Sequence, residues 1–180
     1  MRAKLLCVLL AVLLLTGCVR RPVSFTLDAD GNYTGFDAVE EGYTRQAAKL
    51  YGWVILEDLT VTENGKLWLR FLEQAEAGKD AGVRIAEFFG EEMYLMDVFF
   101  REDRYRVFFS DGYDMHDEPF AYLLTLTGET NGQKAYAVVL TGDDSLTYDQ
   151  VMHTFFSSQY PVTDVPAHRV LFLGTGEPNW

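Results

Sequence analysis

Five runs rich in β-branched, aromatic and aliphatic residues restrict how this chain can fold more than any other feature of its sequence. They cover residues 83–89, 93–100, 105–109, 120–126 and 135–140. Most of the connections between them are short and contain Gly, Asn or Asp, which are typical turn residues. Consecutive strands joined by short connections pair antiparallel. The pattern therefore predicts an antiparallel sheet of about five to six strands, and two shorter runs at 53–57 and 170–173 are further candidate strands.

Three helical patterns flank these runs. The first ends at Gly52, a typical C-terminal helix residue, and the second begins after Asn64 and closes at Gly78. The third opens with a capping box formed by Thr147 and Gln150. Their apolar faces comprise Tyr43, Ala47, Ala48 and Tyr51; Leu67, Trp68, Phe71, Leu72 and Ala75; and Val151, Met152, Phe155 and Phe156. The sequence thus predicts an α+β fold, with two to three helices packed mainly on one face of the sheet.

The N-terminal segment has the layout of a secretory signal. Arg2 and Lys4 precede an apolar run over residues 5–15, which is too short to span a bilayer. The following Leu-Thr-Gly-Cys resembles the lipobox of bacterial lipoproteins, in which the cysteine thiol receives a diacylglyceryl group. Residues 1–17 are therefore predicted to be a signal peptide and Cys18 to be the lipidated first residue of the mature chain. The protein would then be lipid-anchored to the cell membrane and face its extracytoplasmic side.

Residues 18–42 have two interpretations. They form either a tether between the anchor and the domain or the first hairpin of the domain, with a strand at 23–27 and a turn at 28–32. A partly ordered tether is the preferred interpretation. Residues 43–180 are predicted to form a single α+β domain, since the mature chain has the length of one ordinary domain.

Charge and cysteine content exclude several classes of function. Loss of Arg2 and Lys4 leaves 13 basic against 27 acidic residues, a formal charge of −14. Such a chain repels phosphate backbones, which argues against nucleic-acid binding. Cys7 leaves with the signal and Cys18 would be alkylated. No thiol then remains for a disulfide, a nucleophile or a zinc-sulfur site, and no cofactor is predicted.

Several segments carry a sequence resemblance to a known group. They are Gly52-Trp53-Val54, Asn64 with 68–73, Gly78-Lys79, 83–86, 121–124, 139–141, 145–148 and Ser157-Ser158. Over about residues 43–173, the chain resembles uncharacterised lipoproteins of Firmicutes, many of them from gut clostridia, that carry a domain of unknown function. The resemblance implies a fold type and a location at the envelope, but no catalytic residue.

Clusters of polar residues give weak signals for a chemical site. The segment 28–32 resembles part of a calcium loop, but Thr26 stands at the first ligand position and Asp37 at the twelfth, so an acidic turn is favoured. The acidic loop 111–118 could hold a cation, although no second histidine has a ligand spacing; its candidate ligands are Asp111, Asp114, His116, Asp117 and Glu118. An exposed connection is therefore favoured there too, and no metal site is predicted.

The remaining candidates favour structural roles. Asp143 and Asp144 are interpreted as charge at a helix N-terminus. His153 and His168 lack a recognisable nucleophile partner, and Glu40-Glu41 and Glu91-Glu92 are adjacent in sequence and so point apart. No catalytic residue is predicted.

Pairs of phenylalanines occur at 88–89, 99–100, 108–109 and 155–156. Neighbouring residues of a strand point to opposite faces of its sheet. The strand pairs therefore predict a sheet covered on both sides, with the helices as the favoured cover, or an aromatic surface that faces a partner.

The sequence favours a non-enzymatic binding module at the cell envelope, with an envelope protein, a peptide or a small ligand as its partner. The alternative is an envelope hydrolase whose acidic residues act on a sugar or peptidoglycan. A cavity holding two convergent carboxylates, or a carboxylate and a histidine, would favour the hydrolase.

Overall fold

The computed structural model describes residues 23–39, 43–111, 119–157, 165–178 and 180. Within these ranges, three helices, here α1 to α3, span Arg45–Tyr51, Gly65–Glu76 and Tyr148–Phe156. The same part of the chain forms eight strands, β1 to β8, which span Val54–Glu57, Thr60–Glu63, Ala81–Phe89, Glu92–Arg101, Arg104–Phe109, Tyr122–Thr130, Gln133–Thr141 and His168–Thr175. The predicted α+β class is confirmed. Among the described residues, no helix is long and apolar enough to cross a membrane.

The strands form two sheets instead of the single antiparallel sheet that the sequence predicts. Five strands pair in the order β2-β1-β3-β4-β5 and three in the order β6-β7-β8. All pairs are antiparallel except β1 with β3, which run parallel in a register that sets Val54 beside Ile85. The chain between these two strands contains β2 and α2, which is long enough for a parallel crossover.

Strand β2 is absent from the sequence prediction. It pairs with β1 through a two-residue turn in which Asp58 and Leu59 have φ angles of 47° and 65°. Two consecutive left-handed residues form the turn that suits the twist of a hairpin, but Asn-Gly or Asp-Gly is its usual sequence. Because Leu59 stands where glycine is usual, the sequence carries no signal for this hairpin turn.

The two sheets meet at both of their margins. Tyr105 of β5 and Phe120 ahead of β6 exchange two backbone hydrogen bonds of 2.9 and 2.8 Å. At the other margin, the Leu173 N–H of β8 donates to the Leu59 carbonyl at 2.9 Å, and Thr60 Oγ1 donates to the Leu173 carbonyl at 3.1 Å. The eight strands thus surround one core.

The three helices lie in three places, not mainly on one face. Trp68 and Phe71 of α2 belong to the largest buried cluster, together with Ile85 of the first sheet and Phe172 of the second. On the opposite face of the first sheet, Ala48 of α1 packs with residues that include Ile55, Ala86 and Leu95. Val151 of α3 packs on the opposite face of the second sheet, with Ala135, Ala137 and Val139.

The ends of the helices agree with the sequence except at Asn64. Gly52 ends α1 with a φ of 79°, and the capping box of Thr147 and Gln150 opens α3. Asn64 precedes α2 but makes no side-chain cap; its Nδ2 instead donates to the carbonyls of Lys49 and Trp53, at 3.1 and 2.8 Å. Asn64 therefore joins the end of α1 to the entry of β1.

Residues 23–39 pack on the first sheet as a short hairpin, which we call the N-terminal hairpin. Leu27 and Tyr33 form a bridge, and the Asp28 carboxylate accepts hydrogen bonds from the N–H groups of Asp30 and Asn32 at 2.9 and 2.8 Å. The predicted turn at 28–32 is confirmed as an acidic turn. A regular strand at 23–27 is not formed. Of residues 18–42, the part 23–39 packs on the first sheet, and 18–22 and 40–42 lie outside the described residues.

The phenylalanine pairs show how both faces of the first sheet are covered. Phe100 points to the central core, whereas Phe99 and Phe108 contact Phe25 of the N-terminal hairpin with ring-centroid distances of 5.3 and 5.8 Å. Cover on that face thus comes from the hairpin as well as from α1. The pair at the end of α3 differs, because Phe155 and Phe156 are 49% and 70% exposed.

Candidate ligand-binding cleft

A charged pair lies on the outer face of the first sheet, beneath the N-terminal hairpin. Arg84 on β3 faces Asp97 on β4 in direct cross-strand register. Arg84 Nε donates to Asp97 Oδ1 at 2.7 Å, and Arg84 Nη2 donates to Asp97 Oδ2 at 2.6 Å. Asp97 is completely buried and Arg84 is 9% exposed. The planar guanidinium thus binds both oxygens of a carboxylate that has no access to water.

Two groups of the N-terminal hairpin form hydrogen bonds with this charged pair. The Tyr33 hydroxyl donates to Asp97 Oδ2 at 2.6 Å, and Arg84 Nη2 also donates to the Gly35 carbonyl at 2.7 Å. Tyr33 further stacks on Phe108, with ring centroids 4.2 Å apart. One side chain and one carbonyl therefore attach the hairpin to the sheet at the same buried charge.

The environment shifts the pKa values of the three groups. Burial, with the negative charge of Asp97, raises the pKa of the Tyr33 phenol far above its usual range, so Tyr33 remains a donor. Burial alone would lower the pKa of Arg84, but its hydrogen bonds to Asp97, the negative charge of Asp97 and a contribution from Tyr33 together raise it. Burial raises the pKa of Asp97, against the opposing hydrogen bonds from Arg84 and Tyr33. The Arg84 guanidinium therefore stays positively charged and does not act as a general acid.

Aromatic rings surround the guanidinium. Arg84 Cζ lies 5.2 Å from the ring centroid of Phe36 and 5.4 Å from that of Trp53. Both distances are within the range of a cation–π contact. Trp53 also contacts Tyr43 at 5.2 Å and Tyr51 at 5.8 Å. Tyr51 is 56% exposed. An aromatic series thus leads from a buried cation to the surface.

The rings of Tyr43, Tyr51 and Trp53 line a cleft of about 560 Å³ between the N-terminal hairpin, α1 and β3. Its walls also carry the hydroxyl side chains of Ser24, Thr26 and Thr34. A second cavity of about 260 Å³ shares Val23, Tyr51 and Arg84 with this cleft. The volume of the main cleft falls within the range of small-molecule sites, which combine apolar walls with a few polar groups. We call it the aromatic cleft.

Two cavities elsewhere have a different character. One of about 450 Å³ lies between β2 and the start of α2, and another of about 260 Å³ is lined by Phe120, Asp143 and Pro166. Across these two cavities and the two beside Arg84, none is lined by two carboxylates or by a carboxylate and a histidine. Within the described ranges, no group of three His, Cys, Asp or Glu side chains could hold a metal ion.

The structure separates the polar residues that the sequence singles out. Asp28 shapes its own turn, and Asp143 Oδ1 accepts from the Ser145 N–H at 2.9 Å before α3 begins. His153 is exposed on α3, and His168 Nδ1 lies 2.8 Å from the Pro166 carbonyl. The predicted signal peptide, Cys18, Glu40-Glu41, and residues 112–118 with Asp114 and His116 lie outside the described residues.

Sequence reasoning missed the Arg84–Asp97–Tyr33 network. Arg84 and Asp97 stand inside two predicted strands whose neighbours are apolar, and opposite charges in adjacent buried strands are a signal for a cross-strand pair. Tyr33 carries no comparable signal, because its position depends on the fold of the N-terminal hairpin.

The chain matches no family model, no curated protein and no solved structure. The resemblance to clostridial lipoproteins therefore stays a prediction.

Proposed function

We propose that the protein is a lipid-anchored, extracytoplasmic binding module and that the aromatic cleft holds its ligand. The anchor part of the proposal comes from the sequence of residues 1–18, in which a charged start, an apolar run and a small-residue segment precede Cys18. The binding part comes from the structure of the outer face of the first sheet.

A single observation supports the binding part: the three rings of Tyr43, Tyr51 and Trp53 converge on a cleft of small-molecule size. Tyr and Trp rings provide a large contact area at a low cost in side-chain entropy. Thr26 and Thr34 line the same cleft, and Thr34 Oγ1 donates to Thr26 Oγ1 at 3.1 Å. The arrangement suits a small ligand that has an apolar face and a hydrogen-bonding edge.

The buried charge gives the cleft a fixed shape. Arg84 is held by Asp97, by the Gly35 carbonyl and by the faces of Phe36 and Trp53. Because its hydrogen bonds are already made within the protein, Arg84 positions Trp53 instead of serving as the main anion receptor. A preformed site binds with a smaller loss of conformational entropy than a flexible one.

The test is a ligand-observed NMR screen of a small-molecule fragment library that contains sugars, amino acids and short peptides. We expect fragments that bind the parent protein to lose their saturation-transfer signal with Tyr51→Ala and Trp53→Ala. Phe89→Ala is the matched control, since Phe89 is also an exposed aromatic, at 43%, and does not line the cleft. A set of fragments that binds all three variants equally would contradict the proposal.

A further inference from the structure

We infer that the protein stands on the membrane with the start of β3 towards the bilayer, so that the aromatic cleft opens near the lipid headgroups. This inference rests on the proposed lipid anchor at Cys18. The surface concerned is the end of the first sheet at which β3 begins, and its partner is an anionic bilayer. This orientation follows from the short chain between Cys18 and Val23, from the position of Val23 and from the distribution of charge.

The chain between the anchor and the domain is short. Cys18 and Val23 are five residues apart, a separation that an extended chain can span over at most about 18 Å. Val23 must therefore lie within that distance of the lipidated cysteine. The domain has little freedom to turn its Val23 side away from the bilayer.

The position of Val23 shows which end of the first sheet lies nearest to the lipid anchor. The Val23 carbonyl lies over Gly82, only 3.1 Å from where a Cβ atom at that position would stand. Gly82 is the second residue of β3, whose nine residues rise about 26 Å. Val23 also lines one cavity with Tyr51, Arg70 and Gln74. We call this surface the anchor-side end, and the turn after Phe89 marks the opposite end.

Charge differs between the two ends. The anchor-side end has mixed charge, because its cations stand among about as many carboxylates, which include Glu76, Asp80, Glu102 and Asp103. Arg70 lines the cavity with Val23, Lys79 lies two residues before β3, and Arg101 pairs with Asp80 at 3.3 Å beside the turn that leads to Arg104. At the opposite end, the turns at 58–59 and 90–91 contain Asp58 and Glu91, with Glu92 following. A cation at this end is Arg45, which is paired with Glu57 beside Phe88.

An anionic membrane repels the acidic opposite end more than the anchor-side end of mixed charge, and this difference favours the orientation that the short tether allows. Lys and Arg side chains near an anionic headgroup layer are attracted to it, whereas carboxylates are repelled. Arg20 and Arg21 beside the anchor act in the same direction. The exposed Tyr51 ring at this end is of the type that settles at the interface between membrane and water. Arg84 is the fourth residue of β3, so the aromatic cleft lies close to the same end.

The experiment uses the mature, lipidated protein in vesicles of phosphatidylcholine and phosphatidylglycerol at three to one. The alkylated Cys18 leaves no free thiol, so a single new cysteine can carry a fluorophore. Tyr51→Cys and Gln74→Cys report on the anchor-side end, and Phe89→Cys and Glu91→Cys on the opposite end; all four positions are exposed. We expect a nitroxide lipid labelled in its headgroup to quench the first two at least threefold more strongly than the last two.

The variants separate this inference from the proposed function. Arg70→Gln with Lys79→Gln, or vesicles of phosphatidylcholine alone, should lower the quenching ratio. Equal quenching at the two ends in anionic vesicles, for a protein that floats with the vesicles, would overturn the orientation and leave the anchor intact. A protein that carries no fatty acid and does not float with vesicles would overturn both.

Discussion

Arg84 and Asp97 occupy directly opposed positions on β3 and β4 and form two hydrogen bonds of 2.7 and 2.6 Å away from solvent. Breaking such a pair from one side leaves an uncompensated buried charge, which costs more than the pair itself contributes. The pair also fixes the N-terminal hairpin through Tyr33 and Gly35. The stability of the domain and the shape of the aromatic cleft therefore depend on the same side chains.

The first prediction concerns Asp97. In a soluble form of the chain that begins at Arg21, Asp97→Asn should lower the free energy of unfolding by about 3–5 kcal/mol, because the Arg84 charge loses its partner. Tyr33→Phe should cost about 1–3 kcal/mol, since it removes one hydrogen bond to the buried carboxylate. Urea denaturation followed by circular dichroism measures both.

A control for these two variants is the exposed pair of Lys134 and Glu177. Surface ion pairs contribute little to stability. Glu177→Gln should leave the urea midpoint unchanged. An Asp97→Asn protein as stable as the Glu177→Gln protein would show that the buried network does not hold the fold together.

The second prediction concerns the core beneath α2. Trp68 is completely buried and Phe71 is 2% exposed, and Trp68 lies 4.6 Å from the Phe172 ring, centroid to centroid. Trp68→Ala and Phe71→Ala should each cost about 3–5 kcal/mol of unfolding free energy. Leu69→Ala is the control on the same helix, because Leu69 is 37% exposed. Variants of Trp68 and Phe71 that melt within a degree or two of the parent would mean that this face is not core.

The third prediction is a pH dependence at Glu87. Burial raises the pKa of this carboxyl, although the Leu59 N–H donates to it, and its Oε1 is buried with no hydrogen-bond partner among the described residues. A raised pKa in the folded state means that the folded chain holds the proton more tightly than the unfolded chain. Stability from this group is therefore complete below the unfolded pKa and is lost as the pH rises through the folded pKa.

Glu87→Gln removes the loss of stability that follows ionisation of Glu87. The variant should therefore melt at a higher temperature than the parent at pH 7, and the difference in melting temperature should shrink as the pH falls towards 4. Thermal melts of the two proteins across this range measure the effect. Glu91→Gln is the control, since Glu91 is exposed in the turn after β3. A Glu87→Gln protein that is less stable than the parent at neutral pH would contradict the sign.

The fourth prediction concerns the anchor. Cys18→Ser should abolish incorporation of a clickable palmitate analogue and move the protein from the detergent phase to a soluble or uncleaved form, because two or three acyl chains are needed for stable anchoring. Cys7→Ser is the matched control and should label like the parent, since Cys7 lies within the predicted signal peptide. Fatty-acid labelling that persists without Cys18 would exclude it as the lipidation site.

The fifth prediction concerns the acidic loop at 111–118. A bound ion at a hundred times its dissociation constant would stabilise the fold by about 2.7 kcal/mol. We expect no such gain when chelator is replaced by millimolar calcium or micromolar zinc in a thermal melt. A rise of several degrees with one ion, abolished by changing Asp114 and His116 to Ala, would make this loop a metal site.

Local patterns in the sequence determined most of the secondary structure. The five β-rich runs correspond to β3 to β7 because alternating and apolar patterns depend on neighbours within a strand. The capping box at Thr147 and the left-handed Gly52 were likewise readable, since each depends on a contact within a few residues of the chain. Asn64 has a similar sequence signal, but its side chain binds carbonyls 15 and 11 residues away.

Tertiary structure alone decided how these elements combine. The division into two sheets, the parallel pairing of β1 with β3 and the place of the N-terminal hairpin depend on contacts between distant residues. Tyr33 and Asp97 are 64 positions apart, and Arg84 and Gly35 are 49 apart. The sequence by itself determined the α+β class, and the lipobox ahead of the domain stays a prediction. The aromatic cleft required the tertiary structure, because its walls come from the N-terminal hairpin, α1 and β3, and no local pattern encodes their meeting.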